Sequence, residues 1–169
     1  MVKNLILLSF VIFAVSCSLD PVHDEAQADL GDEAPGVDPG PTHRPGQPCL
    51  LCHDGTSAPK WSVAGTIYGV LGSSSPLQNA KVALTDANGS VYTATSNEVG
   101  NFWVDDSHWS PTYPVHVAVS LGNVTSTMTT IIGRDGSCAG CHADPASRIS
   151  VGRVYLAPSA ALLPNGGGG

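Results

Sequence analysis

Basic side chains are scarce in this chain of 169 residues: Lys and Arg total 7 against 14 Asp and Glu, a formal net charge of −7. That balance repels a phosphate backbone and argues against nucleic acid as a partner. No apolar run has bilayer length either; the longest, 5–15, is too short to cross a membrane as a helix. Aromatic residues are few, with 3 Trp, 4 Tyr and 3 Phe, so a small domain has little large apolar surface of its own to bury. No long stretch carries the 3.6-residue apolar period of an amphipathic helix. No H-x-x-E or other zinc-protease arrangement occurs.

What is present is a motif used twice. Cys49-Leu50-Leu51-Cys52-His53 and Cys138-Ala139-Gly140-Cys141-His142 share the order C-x-x-C-H, the attachment sequence for c-type haem. Two thiols three positions apart suit thioethers to the two vinyl groups of one porphyrin, and the following histidine reaches the iron as proximal ligand. The expected cofactors are therefore two covalently attached c-type haems, on Cys49, Cys52 and His53 and on Cys138, Cys141 and His142. Two other readings stay open. Paired C-x-x-C could build a zinc ribbon, although the separation is long for one and zinc does not account for a histidine after both pairs. A disulfide framework would suit an exported protein, although C-x-x-C loops are more often redox-active than structural.

These motifs use four of the five cysteines. The fifth, Cys17, ends an N-terminal segment with a positive start at Lys3, an apolar centre and small residues before the cysteine, which reads as a signal peptide over 1–16. Ala14-Val15-Ser16-Cys17 resembles a bacterial lipobox, with Ala14 in place of the usual leucine, and the resemblance implies lipidation of Cys17. Residues 17–48 are rich in Asp, Glu, Pro and Gly and nearly free of large apolar side chains, the composition of a disordered tether. Half of the acidic residues sit in this arm. The folded domain is expected over 49–158, followed by a flexible tail over 159–169 that closes in four glycines.

Within 49–158 the apolar period is two and turn signals recur at short intervals, which predicts an all-β fold, a small antiparallel β-sandwich. Strands are expected at 62–68, 80–86, 91–95, 101–104, 115–121, 124–131 and 151–156. Asn88-Gly89 predicts a type I′ hairpin, and Gly122-Asn123 a second tight connection. Alternation in Val115-His116-Val117-Ala118-Val119 turns His116 away from the core. If successive strands run antiparallel, the motif before the first strand and the motif after the sixth share one pole. The 105–114 connection lies there too.

Gly65-Thr66-Ile67-Tyr68-Gly69, Pro76-Leu77-Gln78-Asn79-Ala80-Lys81-Val82-Ala83-Leu84-Thr85 and Thr93-Ala94-Thr95-Ser96-Asn97-Glu98-Val99-Gly100-Asn101-Phe102 resemble the carboxypeptidase regulatory-like (transthyretin-like, or prealbumin-like) sandwich. The resemblance covers roughly the first half of the globular part and implies a fold, with no peptidase activity. With its two haem motifs the chain resembles secreted dihaem cytochrome c lipoproteins of bacteria.

Each iron needs a sixth ligand or keeps an open position. His43, shortly before Cys49 in a Pro- and Gly-bearing segment, is the candidate for the first haem. His116, His108 and Met128 are the candidates for the second. Histidine would lower the potential and methionine raise it. Trp61, Phe102, Trp103 and Trp109 read as packing or as haem cover, and Arg134, Arg148 and Arg153 as solvent-exposed or as partners for haem propionates.

The expected role is electron transfer in the bacterial envelope or at the cell surface, in an exported protein lipid-anchored to the outer membrane. Its partners would be redox proteins of the envelope or an extracellular electron acceptor, and self-assembly into longer haem chains is compatible with two haems at one pole. The alternatives are a peroxidase-like haem enzyme with one open axial position and a surface binding module with accessory haems.

Overall fold

The computed structural model describes residues 20–163. The expected signal segment, Cys17 and the closing glycines lie outside the described residues. Helix α1, Pro21–Asp29, stands where a disordered tether was expected. Its cause is local: the Asp20 carboxylate accepts the His23 amide at 3.1 Å and Pro21 opens the first turn, an N-cap followed by a residue whose φ is already helical. The helix buries no side chain. Among the described residues no helix is long and apolar enough to cross a membrane.

From Asp32 onward the chain builds two sheets. Strands β1 (Trp61–Val70), β4 (Asn101–Asp105) and β7 (Val154–Ala157) form one, in the order β4-β1-β7; β2 (Lys81–Thr85), β3 (Val91–Thr95), β5 (His116–Leu121) and β6 (Val124–Thr127) form the other, in the order β3-β2-β5-β6. The sheets pack as a β-sandwich. Val63, Ile67, Phe102, Val104 and Leu156 meet Val82, Leu84, Ala94 and Val119, all nearly inaccessible to solvent. Phe102 is the largest of the fully buried side chains, as expected where aromatic residues are few.

Every pair is antiparallel except β1 with β7. The parallel pair places the last strand beside the far half of β1, with Ile67 opposite Val154 and Val70 opposite Ala157. The near half of the same edge is taken by Ser137, bridged in parallel to Ala64, with the Ala64 amide donating to Gly136 O at 3.0 Å. One edge of β1 is thus lined twice by the same stretch of chain, which leaves the sheet after Ser137 and returns at Val154.

Strand β1 is buried on both faces from Ser62 to Gly69, so its sequence reads as a nearly continuous apolar and small-residue run. One face joins the core. The other is covered by segment 41–47, which the sequence placed in the disordered arm. Gly46 N donates to Thr66 Oγ1 at 2.7 Å, and Asn101 Nδ2 donates to His43 O at 2.9 Å. Asn97 Nδ2 adds a bond to Pro41 O at 2.6 Å. Low hydrophobicity suggests disorder here, yet Thr66 of β1, Asn97 of the β3–β4 loop and Asn101 of β4 satisfy this segment's backbone and dock it.

The β2–β3 connection departs from the expected type I′ hairpin. Gly89 alone has positive φ (78°), and the Asp86 amide closes onto Ser90 O, so the loop is a three-residue turn ending in a left-handed glycine. Asp86 decides this. Its carboxylate accepts the amides of Asn88, Ser90 and Thr112 at 2.9, 2.8 and 3.2 Å. Burial works against the charge, but the three amides outweigh it and hold this carboxyl below the ordinary aspartate range. A depressed carboxyl contributes stability that is present above its unfolded pKa and lost as pH falls through the folded one. We therefore expect the urea midpoint of the wild type to fall between about pH 4 and about pH 2 more steeply than that of Asp86→Asn; equal slopes would refute the assignment.

Two strand ends also move. Strand β6 stops at Thr127, because the chain then turns to bridge Ile132 to Val115, and β7 begins at Val154 because the backbone before it is engaged elsewhere.

Candidate functional site

Each C-x-x-C-H segment folds into one short 3₁₀ turn, Cys49–Leu51 and Cys138–Gly140, with the same bonds in both. The Cys49 carbonyl accepts the amides of Cys52 and His53 at 3.2 and 2.9 Å; the Cys138 carbonyl accepts those of Cys141 and His142 at 3.2 and 2.8 Å. In a 3₁₀ turn positions i and i+3 eclipse, so the two cysteines of each motif leave the turn on one side.

The histidines are held alike as well. His53 Nδ1 lies 3.0 Å from Pro59 O, and His142 Nδ1 lies 2.9 Å from Gly152 O. A carbonyl only accepts, so Nδ1 carries the proton in each ring, and the neutral form of each has its lone pair on Nε2. That is the tautomer a histidine needs to bind a metal through Nε2, and a backbone carbonyl on the other nitrogen is the usual orienting partner. Burial lowers the His53 pKa from its ordinary value, with the Pro59 carbonyl opposing it and His43 adding to it.

Both turns seat on the first half of β1. Trp61 N donates to His53 O at 3.1 Å, while Gly136 and Cys138 pack against Ser62 to Gly65. A Cβ on Gly65 would lie 2.7 Å from Cys138 Cβ and 2.9 Å from its Sγ; the glycine makes room for that cysteine. The 105–115 connection reaches the same end, where Ser62 Oγ donates to Trp109 O at 2.6 Å. The expectation that the motifs share a pole agrees with this seating.

Burial pushes the Cys49 thiol up to about 11 and the Cys138 thiol up to about 12, with the neighbouring Cys49 raising the latter further. In each case a backbone hydrogen bond works the other way but does not outweigh burial. A neutral thioether sulfur carries no such penalty. Among the described residues no three His, Cys, Asp or Glu side chains converge as an ion site.

The surroundings of the two motifs differ. His53 stacks face to face on Trp61, with ring centroids 3.3 Å apart and planes at 6°, and Trp61 stacks in turn on Trp103 at 5.2 Å and 18°. Beside the second motif two aliphatic side chains are bare. Ile149 is 88 % and Val151 75 % exposed, although the Val151 amide is bonded to Cys141 O at 2.9 Å.

The distal candidates are dispersed. His43 lies parallel to His53, with centroids 6.0 Å apart and planes at 10°. Its Nδ1 accepts the Gly40 amide at 3.1 Å, so its proton is on Nε2, opposite to His53 and His142. His108 is exposed at the end of β4, 3.5 Å from Asp105, on the side of the first motif. His116 faces solvent on β5, opposite Thr85, and Met128 follows β6 with its amide on Val117 O at 3.0 Å; both belong to the four-stranded sheet, whereas the motifs seat on β1 of the other. Arg153 is engaged by the protein itself, with Asp144 at 2.7 Å, Ser73 O at 3.2 Å and the Tyr68 ring at 4.7 Å.

Sequence reasoning missed Pro59, Gly152 and Gly65. The first two act through backbone carbonyls and the third through a missing side chain, none of which leaves a motif. Trp61 was visible as an aromatic residue shortly after the first motif, but its ring partner was not. Comparison with protein-family models, with curated proteins and with solved structures returns no match.

Proposed function

We propose that this chain is a dihaem c-type cytochrome whose role is electron transfer, built on a sandwich of the carboxypeptidase regulatory-like kind. The observation that carries the reading is the repetition of one geometry at both motifs: an eclipsed pair of cysteines and an imidazole whose Nδ1–H is fixed on a carbonyl, leaving Nε2 to bind iron. Covalently held haem supplies one-electron iron chemistry. His53 and His142 act as proximal ligands, and the paired cysteines as thioether anchors. Seating both turns on one half of β1 keeps the two sites close, as electron exchange between them requires.

His43 is the best-placed distal ligand for the first site. To bind iron through Nε2 it releases the Gly40 amide and moves its proton to Nδ1. Secretion and lipidation at Cys17 would place the protein at the bacterial outer membrane, where an envelope redox protein or an extracellular acceptor takes the electron.

A second reading, a haem enzyme, draws on the position of His116 and Met128 on the other sheet, which favours an open sixth position at the second site. One experiment separates the two. Protein matured with c-haem machinery is expected to show two covalent haems by intact mass and low-spin spectra in both oxidation states, with little response to carbon monoxide. A high-spin fraction equal to about half the haem that binds carbon monoxide would move the enzyme reading ahead. Absence of haem mass would refute both.

A further inference from the structure

The two histidines share a hydrogen-bond design but not a ring environment. His53 is fixed from three directions: its Nδ1–H donates to Pro59 O at 3.0 Å, its carbonyl accepts the Trp61 amide at 3.1 Å, and its face lies on the Trp61 indole at 3.3 Å between centroids. Residues 54–60 close into a small loop between the two rings, drawn together by the Gly55 amide on Ala58 O at 3.0 Å and by the Asp54 carboxylate on the Thr56 and Ser57 amides at 2.7 and 3.0 Å. The indole is itself held. It stacks on Trp103, which β4 places opposite Ala64 on the neighbouring strand. His142 has the carbonyl bond to Gly152 and no stacked ring among the described residues.

We propose that Trp61 is a positioning residue for His53 alone, its indole locking the imidazole plane against rotation about the bond to Pro59, so that the two iron sites are inequivalent by construction. A single hydrogen bond to a carbonyl fixes which nitrogen points where but leaves the ring free to librate about that axis. A face-to-face aromatic neighbour removes that freedom, and stacking of this kind contributes beyond the area it buries. Second-shell groups that fix a ligand's orientation tune the metal it binds. Trp103 extends the lock to the sheet, which makes the first site rigid and the second compliant.

The inference rests on the haem reading only in what the positioned imidazole is for; the lock is a property of the chain. Its test therefore has two arms, both on the full chain. In haem-loaded, oxidised protein, low-temperature electron paramagnetic resonance of Trp61→Leu should shift or broaden one low-spin signal, the one missing from Cys49→Ala/Cys52→Ala protein, and leave the other unchanged. Trp61→Phe should restore most of the wild-type line, since a flat ring returns. Equal changes at both signals, or none, would overturn the proposal.

If the wild type carries no haem, the cofactor reading fails by itself, and the second arm decides the lock. Ring-carbon relaxation of labelled histidine in haem-free protein should show the His53 ring immobile in the wild type and librating faster in Trp61→Leu, with the Nδ1–H tautomer kept in both through the bond to Pro59 O and His142 the same in both. An unaltered His53 would overturn the proposal here too. Should Trp61→Leu fail to fold, Trp103→Leu removes the backing without touching His53 and is read by the same relaxation, with a smaller effect of the same kind expected.

Discussion

Replacing Cys138 and Cys141 together by alanine is expected to leave a protein with one covalent haem where the parent has two. The thiols of the second motif leave one side of a single 3₁₀ turn, so both thioethers depend on that turn, and no other described cysteine replaces them. The buried Cys138 thiol, raised to about 12, is nearly all protonated at neutral pH and a poor nucleophile in the folded chain. Attachment should therefore precede folding. Intact mass checks the first expectation, with Cys49→Ala/Cys52→Ala as its counterpart at the other motif. A variant that keeps two haems would refute the assignment. The timing is checked by adding haem and reductant to refolded, haem-free protein, where yield should drop at least tenfold against attachment to the unfolded chain.

The second large effect is expected at Gly136, which carries the chain past β1 into the second motif. A Cβ there would lie 2.1 Å from Ser62 O and 2.9 Å from Val63 Cα, both backbone atoms of a strand buried on both faces, so nothing can yield by rotating. Gly136→Ala should cost about 2–3 kcal/mol, in the upper range of overpacking, and lower Tm by on the order of 10 °C. Because Gly136 O also accepts the Ala64 amide, the shift would displace Ser137 and the turn after it. Gly140 lies inside the same motif with open space where a Cβ would be, and Gly140→Ala should change stability by less than about 0.5 kcal/mol. Thermal unfolding of the three proteins, followed by near-ultraviolet circular dichroism, gives the comparison. Equal losses in both variants would show that the close approach to β1 is not what constrains this site.

Strand placement shows how the sequence and the folded chain divide the information. Strands β2 to β5 fall within a residue or so of the positions that alternation predicts, since a half-buried strand must alternate. The later elements differ more. Residues 151–153 look like the start of a strand, but Gly152, at φ 84°, gives its carbonyl to His142, and pairing with β1 begins only at Val154. The stretch 41–47 looks like solvent-exposed arm, yet Asn97, Asn101 and Thr66 bind its backbone over the outer face of β1. In each case a polar contact made only in the folded chain decides the local outcome, and side-chain alternation does not encode it.

The residues of the two C-x-x-C-H motifs, the all-β sandwich and the turn-forming glycines are legible in the sequence by itself, because residue chemistry, side-chain period and positive-φ preference are local properties. Tertiary structure alone decided that both motifs seat on one half of β1, that Pro59 and Gly152 orient the two imidazoles, and that only His53 lies on an indole. Those contacts are set by how short loops fold back on β1, how two sheets pack and where the last strand returns.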